Sequence, residues 1–113
     1  MDPKIKLYTA MAPNGRKASI ALEELGLPYE VIRLDLAAGE QMEEAFLSLN
    51  PNHKIPVLDD EGQIIWESGA IVEYILARYT EGALKPAVDS PLFPQYLQWF
   101  HYCEGMVMPP MNT

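Results

Sequence analysis

The sequence predicts an α/β fold: a four-stranded mixed sheet with helices on both faces, in the order β-α-β, short helix, β-β, helix. Three observations lead to it. Within residues 1–34, two short stretches of strand-forming residues flank one segment whose apolar residues recur every three or four positions, which makes a βαβ unit. Residues 57–66 hold two apolar runs joined by Asp60-Glu61-Gly62, a hairpin pattern. Directly after it, residues 68–79 carry an apolar stripe at helical spacing.

Each element has its own local warrant. Ile5-Lys6-Leu7-Tyr8 alternates apolar and other residues, as a half-buried strand does. After the loop Thr9 to Pro13, a helix starts at Asn14 or Gly15 and sets Ala18, Ala21, Leu22 and Leu25 on one face. Gly26 stands where a left-handed C-cap stops a helix, and Pro28 follows. Tyr29 to Leu34, centred on Val31 and Ile32, is the second strand, joined to the first by a right-handed crossover. Asp35 to Gly39 is a loop. Glu40 to Leu49 reads as one short helix burying Met42, Ala45, Phe46 and Leu49, ended by Asn50-Pro51.

A polar turn then runs to Lys54, and Ile55-Pro56 leads into the hairpin. Ser68 serves as N-cap of the helix to Tyr79, whose stripe is Ile71, Val72, Ile75, Leu76 and Tyr79. Residues 81–90 read as a linker. Ser90-Pro91 opens a last helix as N-cap and N1 proline, with Leu92, Tyr96, Trp99, Phe100 and Cys103 on its face and Gly105 and Pro109-Pro110 at its end. The first eighty residues together give the thioredoxin-like arrangement, βαβ-α-ββα.

The totals narrow the function. A chain of 113 residues with 49% apolar and 21% charged residues is one ordinary globular domain, or a domain and a fragment. A formal net charge of −8 opposes binding to nucleic acid or to anionic membrane surfaces. No apolar run approaches the roughly 18 residues that a membrane span needs. One cysteine, Cys103, allows neither an intrachain disulfide framework nor a Cys-x-x-Cys pair, and fits a reducing, cytoplasmic compartment. It reads as a buried, inert side chain. No metal site is expected.

Four segments resemble the glutathione transferase superfamily: Ala-Pro-Asn-Gly-Arg-Lys at 12–17, Leu-Glu-Glu-Leu-Gly-Leu-Pro-Tyr-Glu at 22–30, Asn-Pro-Asn-His-Lys-Ile-Pro-Val-Leu at 50–58 and Trp-Glu-Ser-Gly-Ala-Ile at 66–71. The Pro-Asn-Gly motif is similar to the bacterial Nu class and to a fungal nitrogen-regulator-like branch. In the Nu class a threonine that reaches the thiol precedes it. Here that position is Ala12, as in the regulator-like branch, which puts hydroxyl-based thiol activation in doubt. The resemblance implies residues 1–80 as a glutathione-binding domain, 81–90 as linker and 91–113 as the first helix of an all-helical domain. The chain stops inside that helix, so it reads as a shortened family member.

The resemblance also assigns a site. Ile55-Pro56 matches the family's cis-proline dipeptide, where the Ile55 N–H and C=O pair with the cysteinyl backbone of glutathione like an added strand. By itself the dipeptide is equally a rigid turn entering an edge strand. Glu67 and Ser68 begin a helix, whose N–H groups and dipole favour the γ-glutamyl carboxylate, while Glu67 accepts from its ammonium. An ordinary N-cap asks no more of Ser68. Lys54 pairs with the glycyl carboxylate. His53 beside it and Gln41 at the start of the short helix are further binding candidates, each otherwise a solvated residue. Asn14 is the catalytic candidate: its amide donates to the sulfur, and the N-terminus of the first helix helps to lower the thiol pKa. Tyr8 reads as core packing.

Glutathione is thus the expected co-substrate, with an electrophile, peroxide or disulfide as second reactant and a homodimer as the assembly. The alternative is a non-catalytic glutathione-binding or regulatory module on the same fold. A dithiol oxidoreductase is disfavoured, because no cysteine stands at the start of the first helix.

Overall fold

A computed structural model describes residues 4–10, 13–81 and 84–103, with the side chains of Pro13 and Asn14 left aside. Ala12, Gly105, Pro109 and Pro110, named above, lie outside the described residues. The elements are β1 (Ile5–Thr9), α1 (Pro13–Glu24), β2 (Tyr29–Arg33), a 3-10 turn (Glu40–Met42), α2 (Glu44–Leu47), β3 (Val57–Asp60), β4 (Gln63–Trp66), α3 (Ser68–Tyr79) and α4 (Phe93–Tyr102). The sheet runs β2-β1-β3-β4. β1 and β2 are parallel, while β1–β3 and β3–β4 are antiparallel.

The register explains the core. Leu7 pairs with Val31 on one side and Leu58 on the other, and Leu58 pairs with Ile65. Ile5 and Leu7, two apart on β1, are both buried, as are Val57 and Leu58 on the central strand β3. α1 lies against β1 and buries Ala18, Ala21 and Leu22. Each fully buried aliphatic side chain of this kind stabilises the fold by about 1.5–3 kcal/mol. α1 ends as its sequence predicts. Gly26 takes φ 67°, Leu27 N–H reaches Leu22 C=O at 3.1 Å, and Gly26 N–H reaches Glu23 C=O at 3.1 Å. These are the two bonds of a Schellman cap.

The hairpin turns on two residues, Glu61 (φ 51°) and Gly62 (φ 94°), with Asp60 paired to Gln63. Both central residues are left-handed, the twist-matched solution for a two-residue loop. Asp59 Oδ1 fixes it by accepting from Gly62 N–H at 2.8 Å.

Several expectations need correction. The single helix over 40–49 is two pieces, because Glu43 is extended (φ −72°, ψ 147°) and breaks the helical path. Its apolar face therefore does not form. Phe46 is buried, its ring tilted by 58° against that of Tyr8 with centroids 6.4 Å apart, but Met42 and Ala45 are exposed. Tyr8 is half-buried in that contact. Glu67, not Ser68, is the N-cap of α3: its carbonyl accepts from Ile71 N–H at 2.9 Å, and Ser68 is the first helical residue. α4 starts at Phe93, two residues after the expected N1 proline. Ser90 instead closes the preceding turn, its Oγ accepting from Leu92 N–H at 3.1 Å. Cys103 is exposed rather than buried.

The chain divides into two units, ending at Val72 and starting at Glu73. The division falls inside α3. In the first unit lie the sheet, α1, α2 and the start of α3. The second holds the rest of α3, with Ile75 and Leu76 buried, and α4, whose Phe93, Tyr96 and Phe100 rings follow one another at 5.9 and 5.7 Å.

Candidate functional site

Register alone brings the site together, and all of it lies in the first unit. Val57 pairs with Trp66, so the residues before β3 and after β4, Ile55-Pro56 and Glu67-Ser68, meet at one end of the sheet. Tyr8 pairs with Val57 and Thr9 with Arg33, so β1 and β2 also finish at that end. The loop from β1 into α1 therefore begins there. So does the loop that leaves β2, tied by Leu34 N–H to Thr9 C=O at 2.8 Å. The N-termini of α1 and α3 thus sit at the same sheet edge. Each presents first-turn N–H groups that a helix cannot satisfy internally, and the positive end of its dipole.

The recognition end is shaped by unusual backbone. The Ile55–Pro56 peptide is cis. Ile55 precedes the β3 ladder, so its backbone polar groups lie outside the sheet pairing of Val57–Asp60. Glu67 has φ 83° and His53 φ 60°, left-handed values at non-glycine residues. Such residues concentrate at ligand sites, where the surrounding structure holds them in place. Ser68, the first residue of α3, is buried at 5% exposure. Lys54, His53 and Glu67 are exposed.

Gln41 follows the β2 exit loop, in the 3-10 turn. That loop is held by its own carboxylates: Asp35 Oδ1 accepts from Ala38 N–H at 3.1 Å, and Glu40 Oε1 accepts from the Asp35 N–H. Gln41 Oε1 is buried and has no hydrogen-bond partner among the described residues. A buried amide oxygen in that state is able to accept from a ligand donor. An open cleft of about 450 Å³ borders the site, lined by Ala10, Arg33, Leu34, Asp35, Leu36 and Glu40.

Asn14 falls in the first turn of α1; its side chain is not among the described atoms. The turn itself touches the recognition end, because Gly15 lies against Thr9, Ala10 and Ile55.

Sequence reading undervalued one residue. Asn50, which the sequence reads as a helix end and the start of the 50–58 motif, is 2% exposed and spans the loop before Ile55. Its Nδ2 donates to Lys54 C=O at 2.9 Å, and its Oδ1 accepts from Asn52 N–H at 2.9 Å. His53 N–H adds a bond to Asn50 C=O at 3.2 Å. The signal was present: Asn followed by Pro-Asn is an Asx-turn sequence, in which the side chain bonds the backbone two residues on.

Two tyrosines have raised pKa values. Burial raises that of Tyr29 first, with Glu23 adding a hydrogen bond at 2.8 Å and its charge. Burial also raises Tyr96, with the charge of Glu73 behind it. Among the described residues no group of three His, Cys, Asp or Glu side chains could hold a metal ion, and no helix is long and apolar enough to cross a membrane.

The family model described as "Glutathione S-transferase, N-terminal domain" matches residues 3–77. "Transcriptional regulator URE2" of Saccharomyces cerevisiae is 46% identical over 82 residues, 70% of this chain and 23% of that protein. "Glutathione S-transferase hmp2" of Hypomyces subiculosus is 44% identical over 87 residues, 76% of this chain and 41% of that protein. The solved glutathione transferase URE2P6 of Phanerochaete chrysosporium, in complex with oxidized glutathione, superposes with a TM-score of 0.84 at 37% identity, covering 91% of this chain and 49% of that one. The chain thus spans less than half the length of these curated relatives and about half of the solved structure.

Proposed function

The chain belongs to the glutathione S-transferase family through that family's N-terminal domain, and from this premise we propose that its sheet edge binds glutathione and stabilises the thiolate for attack on a second substrate. The observation that carries the proposal is the meeting of two helix N-termini with the Ile55 backbone at one edge. Along that edge Ser68 and the first turn of α3 take the γ-glutamyl carboxylate, and Glu67 accepts from the ammonium. Ile55 pairs with the cysteinyl backbone in the manner of an added strand. Gln41, His53 and Lys54 serve the glycyl end.

The thiol is a weak nucleophile until it loses its proton. The N–H groups of α1 and the Asn14 amide supply partial positive charge to the sulfur, so the proton leaves to solvent. The thiolate then forms a bond to an electrophilic carbon, a peroxide oxygen or a disulfide sulfur, and the leaving group departs with the electron pair. The neighbouring cleft gives that second reactant room. In this reading residues 1–80 are the glutathione-binding domain, 81–90 the linker and α4 the opening of a helical domain. The protein works in the cytoplasm as a homodimer, which light scattering across a concentration series tests.

A second reading rests on a specific relative: the one named a transcriptional regulator is as similar as the one named a transferase. Here the edge holds glutathione without turnover, and partners read the complex. Calorimetric titration with glutathione, followed by assays on a chloronitrobenzene, cumene hydroperoxide and a glutathione mixed disulfide, separates the two. Binding with turnover supports the enzyme; binding without turnover supports the module; no binding refutes both.

A further inference from the structure

We infer that Gly15 is a positioning residue: its missing side chain sets how closely the thiol-activating turn of α1 approaches the cysteinyl-binding residue Ile55. The inference rests on the glutathione reading above and adds a residue that neither recognises the ligand nor donates to the sulfur.

Glycine is an unexpected choice at this point. Gly15 is the third residue of a twelve-residue helix, where alanine is the better helix former. Its backbone does not require glycine either: it is helical, and among the described residues the left-handed glycines are Gly26, Gly39 and Gly62. What requires it is space. A Cβ on Gly15 would lie 2.2 Å from Thr9 Oγ1, 2.8 Å from Ala10 O and 3.4 Å from Ile55 Cδ1. The Thr9 hydroxyl is buried and donates to Ala10 C=O at 3.3 Å, so it is not a loose group. The Ala10 oxygen is main chain and cannot rotate away. At 2.8 Å it falls about 0.6 Å short of the 3.4 Å at which ordinary contact begins.

Those three neighbours have distinct roles. Thr9 and Ala10 end β1 and lead into the loop that carries the chain to Asn14. Ile55 stands at the mouth of β3. Gly15 is therefore where the activating turn touches the strand that holds it and the residue that fixes the cysteinyl backbone. Dipole stabilisation of a thiolate falls off within one helical turn, and reacting groups tolerate misplacement of only about half an ångström. Any side chain at 15 moves the α1 N–H groups off the sulfur while leaving Ile55, Ser68 and Lys54 able to bind the peptide.

The test is Gly15→Ala in the 113-residue chain. The pKa of bound glutathione is followed by thiolate absorbance against pH, and the affinity for S-methylglutathione, which has no thiol, by calorimetry. The expected result is a bound-thiol pKa raised by about one unit, a tenfold fall in the thiolate-to-thiol ratio at a given pH, with S-methylglutathione affinity changed less than about threefold. A crystal structure of the variant shows α1 displaced from Ala10 and Ile55. Gly15→Ala/Thr9→Ala, which relieves the hydroxyl clash alone, recovers only part of the pKa. An unchanged thiol pKa overturns the inference. So does equal loss of both readouts, which would mark a merely structural role. If the parent chain binds no glutathione, the functional reading fails, and the variant structure still decides the positioning claim: α1 left in place contradicts it. Should Gly15→Ala not fold, Gly15→Ala/Thr9→Ala, which keeps the Ala10 clash and removes the hydroxyl one, is read by the same two measurements, and a bound-thiol pKa equal to the parent's overturns the inference.

Discussion

Asn50→Ala tests how the recognition loop is held. The substitution removes two hydrogen bonds of 2.9 Å, one to Lys54 C=O and one from Asn52 N–H. A buried polar group left without its partner costs about 1–3 kcal/mol. Lys54 and Asn52 are exposed residues, so water replaces part of each bond and the low end applies: about 2 kcal/mol for the pair. For a domain of this size that lowers Tm by roughly 8–16 °C. The functional effect is separate. Without the clamp, Lys54 and Ile55 are no longer fixed relative to β3, and glutathione affinity falls even at temperatures where the chain is folded. Asn50→Asp keeps the acceptor for Asn52 N–H but sets a carboxylate oxygen against the Lys54 carbonyl, so it loses at least as much. Thermal unfolding and calorimetry read both effects. A Tm within about 2 °C of the parent together with unchanged glutathione affinity would refute the clamp.

Three further outcomes follow from the same geometry. Ser68→Ala removes a hydroxyl from the N-terminal end of α3; a hydrogen bond to a charged group contributes about 1.5–3 kcal/mol, so glutathione binding weakens roughly ten- to a hundredfold by calorimetry, while a purely structural role of the hydroxyl leaves affinity untouched. Lys54→Met deletes an exposed cation whose pairing is worth about 1 kcal/mol or less, so affinity drops by at most about fivefold and its salt dependence flattens. Tyr29 titrates higher in the folded chain, chiefly through burial and then through Glu23; its contribution is fully present below the ordinary tyrosine pKa of about 10 and is lost as pH rises past it. Tyr29→Phe should therefore show a shallower loss of stability above that pH in denaturant titrations, and an identical alkaline profile would contradict the assignment.

The strands and long helices were legible because their signals are local. Alternation marked β1, the period of apolar residues marked α1 and α3, and Gly26 marked a left-handed cap that the Leu27–Leu22 bond confirms. The short helix over 40–49 failed for the opposite reason. Its apolar spacing was regular, but four-residue helices have little cooperativity of their own, and the extended Glu43 is set by the surrounding chain. Cys103 was misplaced because apolar spacing on α4 indicates a face and not what covers it.

The site divides in the same way. Its recognition residues fall in contiguous motifs and could be singled out directly. The structural reasons behind them could not: Asn50 looks like a turn residue until its two bonds are seen. Glu67 takes the N-cap position from the better-suited Ser68 through a left-handed backbone that its residue type does not favour. Gly15 is unremarkable until the space around it is measured.

A crystal structure of the chain soaked with glutathione tests the central claim most directly. The account predicts the γ-glutamyl carboxylate at the N-terminus of α3 beside Ser68, the cysteinyl backbone paired with Ile55, and the sulfur within hydrogen-bond reach of the first turn of α1. Glutathione bound elsewhere, or bound along this edge with its sulfur turned away from α1, would contradict it.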